Sequence, residues 1–333
     1  MPSYCVTGAT GFIASYLVKS LLLQGNTVRA TVRDPDNVEK VGFLWELQGA
    51  KERLTLYKAD LLIDGSFDDA INGVLGVFHT ACPVFLPSQT DDVQTLLIDP
   101  GIKGTLNVLS SCKKANSVKR VVLTSSCSAI RYRDDASLVS PLNESHWSDP
   151  EYCKRYNLIS DLVKVYCFRY WYAYAKTLGE MAAWEVAKES GLDLVAVNPS
   201  FVVGPLLTSQ PTSTLELILS LTKGALGEYP KLVIGFVHID DVIAAHILAM
   251  EETKASGRLI YSSSVAHWSD IMKMLKDKYP MYPFECKQGS TEGNDFPHSM
   301  DTSKIMQLGF PGFKSIPQMF DDCIKSFQEK GFL

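Results

Sequence analysis

Short apolar runs alternate with amphipathic segments along the first 124 residues of the chain. Segment 12–24 is typical of the amphipathic kind, because Ile13, Leu17 and Leu21 fall on one helical face before Gly25. The apolar runs predict strands at 4–7, 27–32, 54–58, 74–79 and 120–124. Strands that alternate with helices indicate a parallel sheet covered by helices on both faces.

A long helical pattern at 171–190 leads into a sixth predicted strand at 192–198. About six strands alternating with helices is the number expected for a dinucleotide-binding fold. The predicted fold class is therefore α/β, with a doubly wound parallel sheet of the Rossmann type.

The regular alternation ends at Pro199, after which frequent prolines interrupt the chain. This change predicts a smaller C-terminal substrate lobe of short helices, loops and a pair of strands. We expect a cofactor domain at 1–198 and the substrate lobe at 199–333, with 235–250 returning to the cofactor domain. Asp240 is expected to cap the helix of that returning segment.

The composition is that of a folded protein, with 46% apolar and 21% charged residues among 333 and a net charge of −5. These values exclude disordered and fibrous classes, and the absence of a dense cationic block argues against a nucleic-acid partner. No run approaches the roughly 20 apolar residues of a membrane span, and no targeting segment is evident, so a cytoplasmic protein is expected. The eight cysteines and six histidines are scattered, which favours free thiols and suggests no metal site.

The residues Thr-Gly-Ala-Thr-Gly-Phe-Ile-Ala at 7–14 lie between the first predicted strand and the first predicted helix, where a dinucleotide-binding loop is expected. Gly8 permits a tight turn, Gly11 lets a pyrophosphate approach the backbone, and Ala14 allows close packing of helix on strand. The free N–H groups at the helix N-terminus attract the anion. A turn that binds no ligand is the alternative.

The end of the second predicted strand bears on the choice of cofactor. An acidic side chain there favours the free ribose hydroxyl of NAD, whereas an arginine accommodates the 2′-phosphate of NADP. Arg33 ends this strand and Lys40 follows a short helix later, so both cations could reach a phosphate. We predict NADP(H). Asp34 leaves the hydroxyl-binding alternative open, and the two cations could be ordinary surface residues.

Tyr172 and Lys176 form the only Tyr-x-x-x-Lys pattern in the sequence, at the start of the long predicted helix. Residues four apart share a helical face, and a phenol with a pKa near 10 needs a neighbouring cation to exchange protons at neutral pH. Ser126 follows the fifth predicted strand, at the sheet edge where ligands bind, and is the candidate to hold a substrate carbonyl. Each residue alone could be a surface or turn residue. Together with the phosphate loop, the three indicate a catalytic site.

With Asn-Pro-Ser-Phe-Val-Val-Gly-Pro at 198–205, these motifs resemble the extended short-chain dehydrogenases/reductases of plants over essentially the whole chain. Dihydroflavonol 4-reductases and cinnamoyl-CoA reductases are the nearer groups. Segments 41–51, 128–133 and 143–153 are most similar to the tetraketide α-pyrone reductases, which act in the synthesis of sporopollenin precursors for pollen walls. We expect a monomer or a homodimer that takes a small hydrophobic carbonyl substrate.

The resemblance implies a role for each matching position. Tyr172 would donate a proton, Lys176 would hold the nicotinamide ribose and lower the pKa of Tyr172, and Ser126 would bond the carbonyl. The positions implied to contact NADP(H), from the pyrophosphate through the 2′-phosphate and adenine to the nicotinamide, are Gly8, Gly11, Phe12, Ile13, Arg33, Lys40, Asp60, Leu61, Thr80, Ala81, Cys82, Tyr172, Lys176, Pro199, Ser200, Phe201, Val202 and Thr214.

Three departures from the family pattern bear on function. Arg131 stands where dihydroflavonol reductases carry the asparagine that bonds the flavonoid. The residues Arg-Tyr-Trp-Tyr-Ala-Tyr-Ala-Lys at 169–176 differ from the Lys-Asn-Trp-Tyr-Cys-Tyr-Gly-Lys of cinnamoyl-CoA reductases. The chain also inserts 13 residues, 158–170, directly before Tyr172. This insertion is either an extension of the helix or the product of a retained intron, and it could displace Tyr172 or cover the substrate entrance.

The preferred prediction is an NADPH-dependent carbonyl reductase that acts on a ketone of a polyketide-type pyrone. Cinnamoyl-CoA reductase or dihydroflavonol reductase activity is one alternative, and an NADP-binding protein made inactive by the insertion is another. The residues predicted to border the substrate cleft, most of them equally suited to a core, are Phe85, Arg131, Tyr132, Trp147, Phe201, Leu206 and Leu207.

Overall fold

The computed structural model describes residues 1–84, 92–159, 164–212, 214–285, 287–289 and 298–333. Its strands are β1 (Ser3–Val6), β2 (Thr27–Val32), β3 (Leu54–Lys58), β4 (Gly76–His79), β5 (Arg120–Thr124), β6 (Leu194–Pro199), β7 (Phe201–Val203), β8 (Val233–His238), β9 (Gly257–Tyr261) and β10 (Ser264–His267). Seven of them form one parallel sheet in the order β3-β2-β1-β4-β5-β6-β9. The strand order reverses between β1 and β4, and a crevice at such a reversal is where doubly wound sheets bind ligands.

Helices cover both faces of the sheet. They are α1 (Phe12–Leu23), α2 (Val38–Trp45), α3 (Ala50–Arg53), α4 (Asp68–Ile71), α5 (Asp99–Ala115), α6 (Pro150–Ile159), α7 (Lys164–Ser190), α8 (Thr214–Thr222), α9 (Ile239–Glu251), α10 (Trp268–Lys278), α11 (Ser303–Gln307) and α12 (Ile316–Glu329). Helices α1 and α9 contact each other on one face, and α4, α5 and α7 lie on the other. The apolar core is accordingly divided between the two faces of the sheet.

A second sheet of three strands, in the order β10-β8-β7, stands beyond the carboxyl end of β6. Strand β7 begins two residues after β6 ends, so the chain passes directly from one sheet to the other. An aromatic cluster fixes this sheet, because Phe236 lies 5.6 Å from Phe201 and 5.4 Å from Trp268 between ring centroids. The segment 200–203 is therefore held at the edge of the main sheet where the strands end.

The predicted fold class is confirmed, and all six predicted strands are present in the sheet. The seventh strand, β9, was not predicted; it comes from the C-terminal segment and pairs with β6. Helix α9, within the predicted returning segment, packs against α1 and β6. The predicted cap of α9 is wrong: the cap is His238, whose Nδ1 accepts the N–H of Asp240 at 3.0 Å, because the chain becomes helical two residues earlier than expected.

Candidate active site

The turn between β1 and α1 has the geometry that a dinucleotide-binding loop needs. Gly8 has a φ of +71°, and a Cβ atom placed there would lie 3.0 Å from the Cα of Ala81. The N–H of Gly11 closes the turn on the carbonyl of Gly8 at 2.9 Å, and Gly11 then precedes α1 as its cap residue without a capping side chain. The first N–H groups of α1 are thus available to a phosphate. Phe12 is buried and Ile13 half-buried beside them.

Thr7 ties this turn to the end of β4. Its Oγ1 accepts the N–H groups of Thr80 at 3.1 Å and Ala81 at 3.0 Å, and its carbonyl accepts the hydroxyl of Thr80. The Thr7 hydroxyl must then donate its own proton to Nδ1 of His79, 2.9 Å away. The predicted cofactor residues at 80–82 are therefore brought directly beside Gly8.

The end of β2 presents positive charge to solvent. Arg33 and Lys40 are both exposed, Arg33 directly after β2 and Lys40 on the first turn of α2. Asp34 is engaged in its own turn, where Oδ1 accepts the N–H of Asp36 at 3.1 Å. Asp60 is half-buried after β3, and its Oδ1 accepts the N–H of Leu62 at 2.9 Å, with Leu61 between them. A 2′-phosphate fits the exposed cations Arg33 and Lys40 better than a ribose hydroxyl fits Asp34, which is already engaged in its turn.

Helix α7 brings Tyr172 and Lys176 to the end of β5. The Lys176 ammonium donates to the carbonyl of Thr124 at 2.9 Å, and it lies 5.9 Å from the centre of the Tyr172 ring. The Ser126 side chain lies close enough to Tyr172 to lower the pKa of its hydroxyl by hydrogen bonding, and its Oγ accepts the N–H of Ser128 at 3.0 Å. The three residues proposed for catalysis thus converge. Cys82 lies near enough to Lys176 to raise the pKa of its ammonium.

The pKa values of the pair reflect burial. Burial raises the pKa of the Tyr172 hydroxyl above 10, while the Lys176 charge and the hydrogen bond with Ser126 act in the opposite direction. Burial alone would lower the pKa of Lys176, but Cys82, Tyr172 and Glu180 together raise it. The Lys176 charge opposes the effect of burial on the pKa of Tyr172, and burial outweighs it. At neutral pH the tyrosine is protonated and the lysine is charged.

The predicted nicotinamide-side residues lie at the end of β6, the neighbour of β5. Pro199 ends β6, Ser200 donates its N–H to the carbonyl of Tyr261 at 2.9 Å, and Thr214 donates its hydroxyl to the carbonyl of Val202 at 2.6 Å. Phe201 is half-buried in the aromatic cluster. These residues therefore border the same sheet edge as Ser126.

The insertion joins the catalytic helix without a break at Tyr172. Helix α7 starts at Lys164 and continues to Ser190, so the last part of segment 158–170 adds turns to its N-terminal end. Tyr170 is buried against Tyr132, with ring centroids 5.3 Å apart, and against Tyr156 at 5.7 Å. The described part of the insertion thus ends in an aromatic cluster adjacent to Tyr172.

The predicted cleft residues divide between site and core. Arg131 is buried and donates to the hydroxyl of Tyr132 at 2.5 Å, and Tyr132 lies close enough to Tyr172 to influence its pKa. Leu206 belongs to the core beside α12, where its N–H bonds Ser326. Trp147 stacks on Arg258. Leu207 packs half-buried on the core, and Phe85 lies outside the described residues.

Four buried residues near the site were missed from the sequence: Thr7, His79, Glu180 and Arg258. The one available signal was Glu180, an acid four residues after Lys176 on the same helical face. Among the described residues, no cluster of three or more potential ligands could hold a metal ion. None of the described helices combines the length and apolar character needed to cross a membrane.

Comparison with known proteins decides the family. The sequence profile of the 3-beta hydroxysteroid dehydrogenase/isomerase family matches residues 5–266. The chain belongs to this family. The predicted resemblance to extended short-chain reductases of plants is confirmed by a relative in Arabidopsis thaliana, tetraketide alpha-pyrone reductase 2, which is 65% identical over the full length of both chains.

Solved structures of other reductases share the fold. Vestitone reductase from alfalfa (Medicago sativa) has a TM-score of 0.81 at 32% identity, with all of both chains covered. A yeast methylglyoxal/isovaleraldehyde reductase, solved in complex with NADPH, has a TM-score of 0.81 at 25% identity, with 99% of this chain and 100% of that chain covered. The folds therefore correspond over the whole length of the chain.

Gly8→Ala should weaken NADPH binding at least about tenfold, because the added methyl group would push Ala81 away from the phosphate turn. Gly25→Ala is the matched control. Gly25 has a similar φ of +83° at the end of α1, but nothing lies within 4 Å of its added Cβ. Both variants should lose about 1–2 kcal/mol of unfolding free energy from the left-handed backbone. Titration of NADPH fluorescence measures the dissociation constants, and equal constants for the two variants would contradict a cofactor role for this turn.

Proposed function

We propose that the chain reduces the side-chain ketone of a tetraketide α-pyrone with NADPH, a step in the formation of sporopollenin precursors. The observation that carries this proposal is the convergence of Tyr172, Lys176 and Ser126 at the sheet edge beside the Gly8 turn. The chain is an NADP-dependent oxidoreductase, as its reductase relatives and structural neighbours indicate. The 65% identity to a tetraketide alpha-pyrone reductase supports the substrate class.

The residues around the crevice suit each part of NADPH. The turn at Gly8 and Gly11 would take the pyrophosphate, Arg33 and Lys40 the 2′-phosphate, and residues 80–82 the middle of the molecule. When bound, NADPH supplies the hydride that adds to the carbonyl carbon. Lys176, fixed by the carbonyl of Thr124, would hold the nicotinamide ribose.

Tyr172 would donate a proton to the carbonyl oxygen as negative charge develops on it. Its raised pKa keeps the hydroxyl protonated at neutral pH, which is the state required for reduction. Ser126 would donate a hydrogen bond to the same oxygen, since its Oγ already accepts the N–H of Ser128 and its proton is free to turn toward substrate or Tyr172. The nearby Lys176 charge stabilises the phenolate that is left.

The geometry favours an active enzyme over an inactive NADP-binding protein. An insertion that displaced Tyr172 would take its hydroxyl out of range of Ser126, whereas the Ser126 side chain lies near enough to lower the pKa of that hydroxyl. Helix α7 is continuous from Lys164 through both catalytic positions. The added turns stand on the N-terminal side of Tyr172, where they would form a wall of the substrate cleft.

The wild-type protein should oxidise NADPH with an α-pyrone bearing a side-chain ketone, and faster than with a dihydroflavonol or a cinnamoyl-CoA. The three are compared side by side by the decrease in NADPH absorbance at equal enzyme and substrate concentrations. Faster turnover of a cinnamoyl-CoA or a dihydroflavonol would replace the proposed substrate class. NADPH binding without turnover of any of the three would count against the reductase itself.

Tyr172→Phe should lower kcat by about 10²–10⁴-fold, because the variant lacks the proton donor, with little change in NADPH affinity. Tyr174→Phe is the matched control on the same helix, where the ring faces Trp171 and Lys154 instead of Ser126. Steady-state kinetics with the α-pyrone provide the measurement. Wild-type turnover by Tyr172→Phe would rule out proton donation by this hydroxyl.

Arg33→Ala should weaken NADPH binding by about tenfold and leave NADH binding unchanged, because only NADPH has the 2′-phosphate. Lys51→Ala, another exposed cation on the adjacent α3, serves as the control. Dissociation constants for both nucleotides are measured by fluorescence at low and high salt. An equal loss of affinity for NADPH and NADH would show that Arg33 does not bind the 2′-phosphate.

A further inference from the structure

Glu180 is a buried carboxylate directly behind the catalytic residues. It lies on α7 one turn after Lys176 and two turns after Tyr172, and its side chain has no exposed surface. A charge in such a position is costly unless it is fully compensated. The mechanism proposed above assigns it no role, so its retention needs an explanation.

Four side chains donate hydrogen bonds to this carboxylate. Arg258 donates from Nε at 2.6 Å and from Nη2 at 3.2 Å, and Ser125 donates at 2.6 Å. Asn198 and Trp184 complete the set at 3.0 and 3.3 Å. The donors come from α7 itself, from β6 and β9 and from the residue after β5, so Glu180 joins three neighbouring strands to the catalytic helix.

Arg258 extends the same network to the segment between β5 and α6. Besides its bonds to Glu180, it donates to the carbonyls of Ala129 at 3.1 Å, Glu144 at 3.2 Å and His146. All five guanidinium N–H groups are thereby used. The guanidinium also lies 3.7 Å from the centre of the Trp147 ring. A fully satisfied buried pair of this kind permits one arrangement of the loops that it connects.

The network reaches the backbone around Ser126 and the carbonyl that binds Lys176. Asn198 donates to Glu180 and also to the carbonyl of Ser126 at 3.2 Å, while Ser125 is bonded to Glu180 through its hydroxyl. The backbone on either side of the Ser126 side chain is therefore fixed by one carboxylate. The same stretch of chain supplies the carbonyl of Thr124 that accepts the Lys176 ammonium.

We infer that Glu180, paired with Arg258, is a positioning residue for carbonyl reduction: it fixes residues 124–126 so that the Ser126 hydroxyl and the Lys176 ammonium meet Tyr172 in one geometry. This inference rests on the proposed function. Glu180 itself touches neither substrate nor cofactor. Its effect is transmitted through Lys176 and Ser126. A purely structural role would not depend on Lys176, so the two roles can be distinguished by experiment.

Glu180→Gln keeps the shape of the side chain and removes its charge. We expect kcat for the α-pyrone to fall about 100-fold with KM for the pyrone nearly unchanged, because the reacting groups are misaligned while the cleft persists. The isotope effect on kcat with NADPH deuterated at C4 should increase, since hydride transfer becomes slower relative to product release. Glu180→Asp, which retains the charge, should restore part of the rate.

A double-mutant cycle tests the route without measuring activity. Glu180→Gln should raise the dissociation constant of NADPH about tenfold in the wild-type background and leave it unchanged in a Lys176→Met background, because the effect is transmitted through Lys176. Fluorescence titration gives all four constants. The same factor in both backgrounds would overturn the inference, and so would a Glu180→Gln protein with wild-type kcat and isotope effect.

Asp193→Asn is the matched control. It breaks the ion pair of 2.8 Å between Arg120 and Asp193, which joins β5 to the residue before β6 at the opposite end of the same two strands. This variant should leave kcat and the NADPH constant unchanged.

Glu180→Gln leaves Arg258 buried without its partner, so the variant could fail to fold. In that event the double variant Glu180→Met with Arg258→Met, which replaces both charges with apolar side chains, takes the place of Glu180→Gln in the cycle with Lys176→Met. The expected changes in kcat and in the NADPH dissociation constant are the same. The two proposals fail differently. Absence of turnover in the wild type contradicts the proposed function, whereas additive effects in the cycle contradict the role of Glu180.

Discussion

The arrangement of the site depends on the hydrogen bonds that Thr7 makes at the reversal between β1 and β4. Thr7 accepts two N–H groups from the loop after β4 and donates to Nδ1 of His79, whose Nε2 then donates to Thr105 at 3.3 Å. This direction requires a neutral ring, and burial lowers the pKa of His79 to about 3. The neutral His79 ring, in one fixed tautomer, thus connects the loops after β1 and β4 to helix α5.

Helix α5 also packs against α7 through close backbone contact, and this contact positions α7 relative to the loops after β1 and β4. A Cβ atom at Gly179 of α7 would lie 2.6 Å from the carbonyl oxygen of Gly101, and one at Gly101 would lie 3.3 Å from the Cβ of Ala175. Only small residues allow the two helices to approach so closely, and Lys176 occupies the turn between these contacts. The turn at Gly8 and the pair Tyr172 and Lys176 are consequently both positioned by contacts that lead to α5.

Sequence patterns predicted the features that local spacing encodes and missed those that depend on distant partners. The six strands, the glycine turn and the Tyr-x-x-x-Lys pair each have a signature within a few residues. Strand β9 has five residues and becomes a strand through pairing with β6, which no local pattern reveals. The bond between Glu180 and Arg258 joins residues 78 positions apart, so neither residue alone indicated the network.

The position of Tyr172 is fixed from its C-terminal side, and this explains how the chain accommodates an insertion beside it. After Tyr172, Lys176 donates to the carbonyl of Thr124, Gly179 approaches Gly101 of α5, and Glu180 accepts hydrogen bonds from Ser125, Asn198 and Arg258. The added residues from Lys164 to Tyr170 extend α7 on the other side of Tyr172, where Tyr170 packs against Tyr132. The arrangement proposed for proton transfer therefore depends on the part of α7 that follows Tyr172.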